Sequence, residues 1–183
     1  MKRLIGIITL SFFVFSNSAN SNEKIINSLK EGGKIIFIRH AYAPGNGDPV
    51  NFNLEDCASQ RNLNKEGINQ SKKIGLFFNK HKIQIDKVLS SEWCRCKDTA
   101  KYAFINYNTF NALNSFYDKR FTKNKIKQII QLKKYISSWD SSKNLVLITH
   151  FVVISEILGT GSASGEIIVS DQNFNIISSI EIM

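Results

Sequence analysis

Short apolar runs alternate with segments of helical period along most of this chain. Lys34 to Ile38 predicts a strand, Lys87 to Ser90 a second, Tyr107 to Leu113 a third and Asn144 to Thr149 a fourth. Two further strands are predicted at Glu166 to Ser170 and Asn175 to Ile182. They alternate loosely, and Asp171-Gln172-Asn173 between them predicts a hairpin. Asn64 is placed to cap a helix running toward His81, and a second helix is predicted from about Trp93 to Phe104. Lys123 to Ser138 is amphipathic, with Ile126, Ile129, Ile130 and Ile136 at helical spacing and Lys133 interrupting the stripe. A short helix from about Val152 to Leu158 follows the fourth strand. Short, almost wholly apolar strands separated by helices predict an α/β fold: a three-layer α/β/α sandwich around a central, mostly parallel mixed sheet. One stretch departs from this rhythm. Ala41 to Leu63 carries Pro44, Gly45, Gly47, Asp48, Pro49 and several Asn with little periodicity. Loops of that length inside a compact domain are usually functional.

The first nineteen residues follow a different rule. Lys2 and Arg3 precede an apolar run from Leu4 to Phe15, and Ser16-Asn17-Ser18-Ala19 follows. A positive start, a short apolar core and small residues before a cut make an export signal. The run is too short to span a bilayer, and no lipobox cysteine follows it. The expected organisation is a signal peptide over 1–19 and one domain over 20–183, with a periplasmic or secreted location.

Composition narrows the class. With 43% apolar and 21% charged residues, the chain is neither disordered nor a small cysteine framework. A chain of 183 residues builds a core without a metal or a disulfide. Export nevertheless permits a disulfide, and Cys57 is expected to pair with Cys94 or Cys96, leaving one thiol. A C-x-C pair with one remote Cys and scattered His lacks zinc-ligand spacing, so no metal is expected. The charge of +9 draws on lysines of the 123–134 region, read as a solvated helix face rather than a nucleic-acid surface. Such a surplus would still draw the protein toward anionic envelope components.

The chemistry sits at strand ends. The first strand ends in Arg39-His40, the second in Ser90-Ser91 with Arg95 just beyond, and the fourth in Thr149-His150. Parallel strands deliver their carboxyl ends to one sheet edge, where ligands of open α/β sheets bind. Two Arg and two His remote in sequence are thus brought toward one place. Helix N-termini after these strands add positive dipole ends. The expected product is an anion site containing a nucleophile. His81, by contrast, is read as a helix-end residue without a role.

Arg39-His40-Ala41 resembles the R-H-G/A signature of the histidine phosphatase superfamily, also called phosphoglycerate mutase-like. Ser90 to Ala100, with Arg95 and Thr99-Ala100, resembles its S-S-x-x-x-R-x-x-x-T-A segment. Ile148-Thr149-His150 resembles its second histidine motif. Asp56-Cys57-Ala58-Ser59-Gln60-Arg61-Asn62-Leu63, followed by Glu66-Gly67, is similar to a short, exported bacterial branch. The resemblance implies a phosphatase without cofactor or metal. His40 would form a phosphohistidine, Arg39 and Arg95 would grip the phosphoryl oxygens, and His150 would donate to them as a cation. It also implies a small phosphorylated substrate, and the exported branch resembles lipopolysaccharide core heptose phosphate phosphatases, which suggests an envelope phosphosugar. No stable membrane insertion and no nucleic-acid partner are expected after leader removal.

Some relatives place Asp directly after the second histidine, where this chain has Phe151. Asp118 or a loop carboxylate (Asp48, Glu55 or Asp56) is the expected proton donor, with Glu166 a further option. Arg61 is expected either to bind a second anionic group of the substrate or to form a structural pair. Ser90 and Ser91 are expected to shape the turn and cap the helix. A phosphate-binding module with a weak or dead site is the alternative function, and a phosphomutase a more distant one.

Overall fold

The computed structural model describes residues 16–140 and 142–182, with only the backbone for 16–22. Most of the expected leader thus lies outside the described residues, and Ser16 to Ala19 open the first helix. In chain order the elements are α1 (Ser16–Glu31), β1 (Ile35–Arg39), α2 (Lys65–Lys80), β2 (Ile85–Ser90), α3 (Cys94–Phe104), β3 (Asn108–Thr109), α4 (Lys125–Ser137), β4 (Asn144–Thr149), α5 (Phe151–Leu158), β5 (Ile167–Ser170) and β6 (Ile176–Ile180).

The strands form one six-stranded sheet in the order β3-β2-β4-β1-β5-β6. The pairs β3/β2, β2/β4 and β4/β1 are parallel, and β1/β5 and β5/β6 are antiparallel. This is the mixed, mostly parallel sheet expected, and the terminal hairpin falls where its turn residues predicted it. Alternation along β1 divides the core. Ile36 and Ile38 face one side with Ile25, Leu29, Ile74, Phe78 and Ala100 of α1, α2 and α3. Ile35 and Phe37 face the other with Leu132, Ile136, Val153 and Ile154 of α4 and α5. A strand whose neighbouring residues are all buried needs cover on both faces, and these two helical layers supply it.

Three elements differ from the sequence reading. Helix α1, which the sequence reading did not assign, runs past the expected leader because Ile25 and Leu29, one turn apart, both bury completely. The third strand shrinks to two residues, since a 3₁₀ turn at Asn111–Leu113 buries Ala112 and Leu113 instead. Helix α4 is rotated from the expected stripe. Its buried line is Gln128, Leu132 and Ile136, while Ile126 and Ile130 face solvent. Gln128 tolerates burial because its amide donates to the carbonyls of Asn111 and Asn114.

The 41–63 loop is tightly held. Cys57 and Cys94 form a disulfide that ties the loop to the start of α3. The Gln60 side chain accepts from the Cys94 N–H and donates to the Asn53 and Leu54 carbonyls. Asn64 caps α2 through the Gly67 N–H, as expected. Gly67 must stay glycine, because a Cβ there would collide with the Tyr42 carbonyl just after the β1 terminus.

The free cysteine among the described residues is Cys96, which is buried. Unfolded without reductant, the protein is expected to titrate one thiol rather than three. Closing a 37-residue separation predicts a loss of about 4 kcal/mol on reduction, read from urea midpoints with and without reductant.

Candidate functional site

Strand register builds the site. Arg39 of β1 stands opposite Thr149 of β4, so the next residue on each strand, His40 and His150, leaves the sheet side by side. The His40 N–H donates to the Thr149 carbonyl at 2.9 Å, and the two imidazole centroids lie 5.4 Å apart. Strand β2 flanks β4 on its other side and brings Ser91, Trp93 and Arg95 to the same edge. The result is a cavity of about 330 Å³ whose lining includes Arg39, His40, Asp48, Arg61, Arg95, Asp118 and His150. Arg39, His40, Arg61, Arg95, Asp118, His150 and the loop carboxylate Asp48, all picked out by sequence, reach it; Glu55, Asp56, Glu166 and His81 do not. His81 lies at the end of α2 against Phe77.

His40 is buried and its ring is fixed. Nδ1 lies 2.9 Å from the Ala41 carbonyl, which can only accept, so Nδ1 carries the proton and Nε2 keeps the lone pair. Burial, and then the charge of Arg95, push its pKa well below the ordinary value of 6.5. The Ala41 N–H is in turn held by Thr99 Oγ1, which donates to the Arg95 carbonyl. The threonine of the T-A motif thus joins the strand that leads into His40 to the helix bearing Arg95.

The guanidiniums are built to receive an anion. Arg39 Nη1 donates to the Ser162 carbonyl at 2.6 Å, while its Nε is buried with no partner. Arg95 is 3% exposed, and its Nε is likewise buried without a partner. Unsatisfied buried donors of this kind are costly unless a ligand satisfies them. Arg39 and Arg61 are both shifted downward by burial and by the charge of Arg95, as expected where positive charge is in excess. Arg61 also closes its own loop, donating Nε to the Gly47 carbonyl and Nη1 to that of Ala43.

The structure qualifies two expected roles. His150 is not a cation in the free site. Burial, and then Arg95, hold its pKa well below 6.5. Its Nε2 lies 2.9 Å from Ser91 Oγ, which also donates to Asn114 Oδ1 at 3.0 Å. With the hydroxyl proton engaged by Asn114, the neutral imidazole is the donor to Ser91. Asp118 lines the cavity, but its carboxylate is held by Arg120 Nε and Nη2, and that pairing lowers its pKa below the usual carboxylate value. A carboxylate so stabilised holds no proton to donate at neutral pH. Of the other candidates, Asp56 caps a 3₁₀ turn and Glu166 accepts from the Ala163 N–H.

Sequence reading missed the Ser91–His150 contact and the burial of Asp48 against Arg95 at 2.8 Å. Ser91 was legible only as a turn residue, and Asp48 only as one of three loop carboxylates expected to donate a proton. Ser91 does accept from the Trp93 N–H, but the cap of the Cys94 N–H comes from Gln60.

No family model and no curated protein matches the sequence. Solved structures do match it. The chain is similar to the protein histidine phosphatase SixA complexed with tungstate, at 15% identity over 81% of this chain and 96% of that one, with a TM-score of 0.55. It is similar to phosphoglycerate mutase from Thermus thermophilus (12% identity, 82% and 99% coverage, TM-score 0.58). A mutant phosphoserine phosphatase from Entamoeba histolytica in complex with phosphoserine also matches (14% identity, 74% and 89% coverage, TM-score 0.54). The fold is therefore the phosphoglycerate mutase-like α/β fold. It is the fold of the histidine phosphatase superfamily, whose signatures the sequence resembles.

The depressed histidine values fix a pH dependence. An unfolded His titrates near ~6.5, so the folded form binds fewer protons below that pH. The stability from the neutral imidazoles is present above that value and is lost as pH falls toward the folded values. The urea midpoint is expected to drop between pH 7.5 and 5.5, and a His40→Gln/His150→Gln double variant should flatten that slope. An unchanged slope would contradict buried neutral imidazoles.

Proposed function

We propose that this protein is a phosphatase of the histidine phosphatase kind, hydrolysing small phosphomonoesters without a metal. The observation that carries this reading is the His40 ring. Nδ1 is committed to the Ala41 carbonyl, leaving Nε2 basic and unprotonated in a cavity with three guanidiniums.

The guanidiniums of Arg39 and Arg95, which line the cavity, grip the substrate phosphoryl oxygens, with the charge of Arg61 beside them. His40 Nε2 attacks phosphorus, the P–N bond forms, and the bond to the leaving oxygen breaks with its electron pair. Fixed guanidiniums stabilise the charge spread over the equatorial oxygens. Water then attacks the phosphohistidine, the P–N bond breaks, and orthophosphate leaves. His150, positioned by Ser91, sits 5.4 Å from the His40 ring and assists the same oxygens. Bringing a phosphoryl dianion among the guanidiniums reverses the field that kept His150 neutral, so substrate favours its protonation.

With Asp118 held by Arg120, the leaving oxygen of a sugar phosphate takes its proton from the His150 imidazolium that substrate binding favours, not from Asp118. Asp118→Asn is therefore expected to keep its rate on a sugar phosphate within about threefold, whereas loss of an acid catalyst would cost ~10²-fold or more. The proposed setting is outside the cytoplasm, with an envelope phosphosugar as substrate. The leader pattern over 1–19, the Cys57–Cys94 bridge and the basic surplus support this reading.

Hydrolysis of p-nitrophenyl phosphate with EDTA present tests the chemistry. Turnover that resists EDTA and disappears in His40→Ala is expected, and Arg95→Ala should lose about 10²–10³ in rate. Turnover that survives His40→Ala would refute the mechanism. Anion binding without turnover would indicate the phosphate-binding module instead.

A further inference from the structure

Asp48 lies eight residues beyond the nucleophile, in the loop before α2, yet its carboxylate is buried inside the anion site. Oδ1 accepts from Arg95 Nη1 at 2.8 Å and from the Arg61 backbone N–H at 3.0 Å. Oδ2 accepts from the Trp93 indole N–H at 3.1 Å. The side chains of Arg95 and Asp48 are 4% and 7% exposed. A carboxylate seated on an arginine that grips phosphate competes with the ligand, so its presence calls for an explanation.

Proton donation does not supply one. Three donors converge on its two oxygens, so the group is arranged to accept hydrogen bonds rather than to give one. Anchoring the loop does not require it either, because Arg61 holds the Gly47 and Ala43 carbonyls just before it and Cys57–Cys94 ties the rest of the loop to α3. Charge does supply an explanation. The cavity is lined by Arg39, Arg61 and Arg95, its two imidazoles are neutral, and Asp118 is balanced by Arg120. Asp48 reduces three positive charges to two, the complement of one phosphoryl dianion.

We infer that Asp48 is a built-in counter-ion of Arg95 that tunes the site to a single phosphoryl dianion and selects against substrates carrying a second anionic group beside the phosphorus. This deepens the phosphatase reading and rests on it. The phosphoryl group shares Arg95 with Asp48 and is repelled by it, which weakens ground-state binding and eases release of orthophosphate. A second anionic group would meet the Asp48 charge next to an Arg61 that has given Nε and Nη1 to its own loop. Preferred substrates are phosphomonoesters whose leaving group is neutral near the ester oxygen, as in a sugar, rather than bisphosphates or phosphorylated acids.

Asp48→Asn removes the charge and keeps the size and one carbonyl acceptor. Calorimetric titration of tungstate into the wild-type protein and this variant is the direct test. Removing a unit charge at such short range is expected to tighten tungstate binding about tenfold or more. A merely structural Asp48 predicts the opposite sign. Phosphonoacetamide and phosphonoacetate then differ by one charge at nearly constant shape. The wild type is expected to prefer the amide by about tenfold, and the variant to lose that preference. Neither measurement needs turnover. A protein that binds tungstate in this pattern without hydrolysing p-nitrophenyl phosphate loses the phosphatase reading and keeps the counter-ion. Unchanged or weaker tungstate binding by a folded variant, or equal binding of the two phosphonates by the wild type, overturns it. If Asp48→Asn does not fold, the wild-type phosphonate comparison decides alone.

Discussion

The parallel pairing of β1 with β4 is the constraint on which the site depends. It sets Arg39 against Thr149 and carries two histidines out of the sheet at the same level. A slip of one residue would send one ring into a helical layer and part the pair. Close packing resists that slip, because Ile35 to Ile38 and Leu145 to Ile148 are buried against the helical layers on both faces. Packing energy spread over both helical layers thus holds a geometry that the few polar contacts of the site could not hold alone. Thr99 extends the same frame sideways, fastening the chain after His40 to the helix that presents Arg95.

Electrostatics then follow from burial. Two imidazoles and three guanidiniums share one small cavity, and the fold removes charge where it can. The histidines become neutral, Asp48 covers Arg95, and Asp118 is occupied by Arg120. What remains unsatisfied are the Nε donors of Arg39 and Arg95. The free site is therefore primed for an anion without carrying its full positive charge in a low-dielectric space.

The sequence disclosed the parts of this design that are local. Arg39 closes β1, His40 and His150 directly follow β1 and β4, and Arg95 lies just beyond β2, and strand ends are legible from composition and period. The terminal hairpin was legible from Asp171-Gln172-Asn173. Return contacts left no comparable mark. Asp48 and Gln60 act only because the loop folds back on α3, and no window of neighbouring residues contains both ends of that contact. The orientation of α4 was misread because its isoleucines outnumber the residues it buries, and the carbonyls that accept from Gln128 come from a turn fourteen or more residues away. The pairing of Asp118 was hidden for a similar reason. Its partner Arg120 is two residues along, but only the folded turn makes the pair bidentate.

The Cys57–Cys94 bridge has a consequence for covalent connectivity. It encloses α2 and β2 in a closed ring, so a single proteolytic cut anywhere between the two cysteines opens the ring without releasing a fragment. The loop carrying Arg61 would stay attached to the helix carrying Arg95. Cys96, two residues from the bridge, does not threaten this linkage. Burial pushes its thiol up to about 12, so the thiolate that exchange requires is scarce at neutral pH. The folded protein thus keeps one pairing of its three cysteines and tolerates a nicked backbone at the edge of its site.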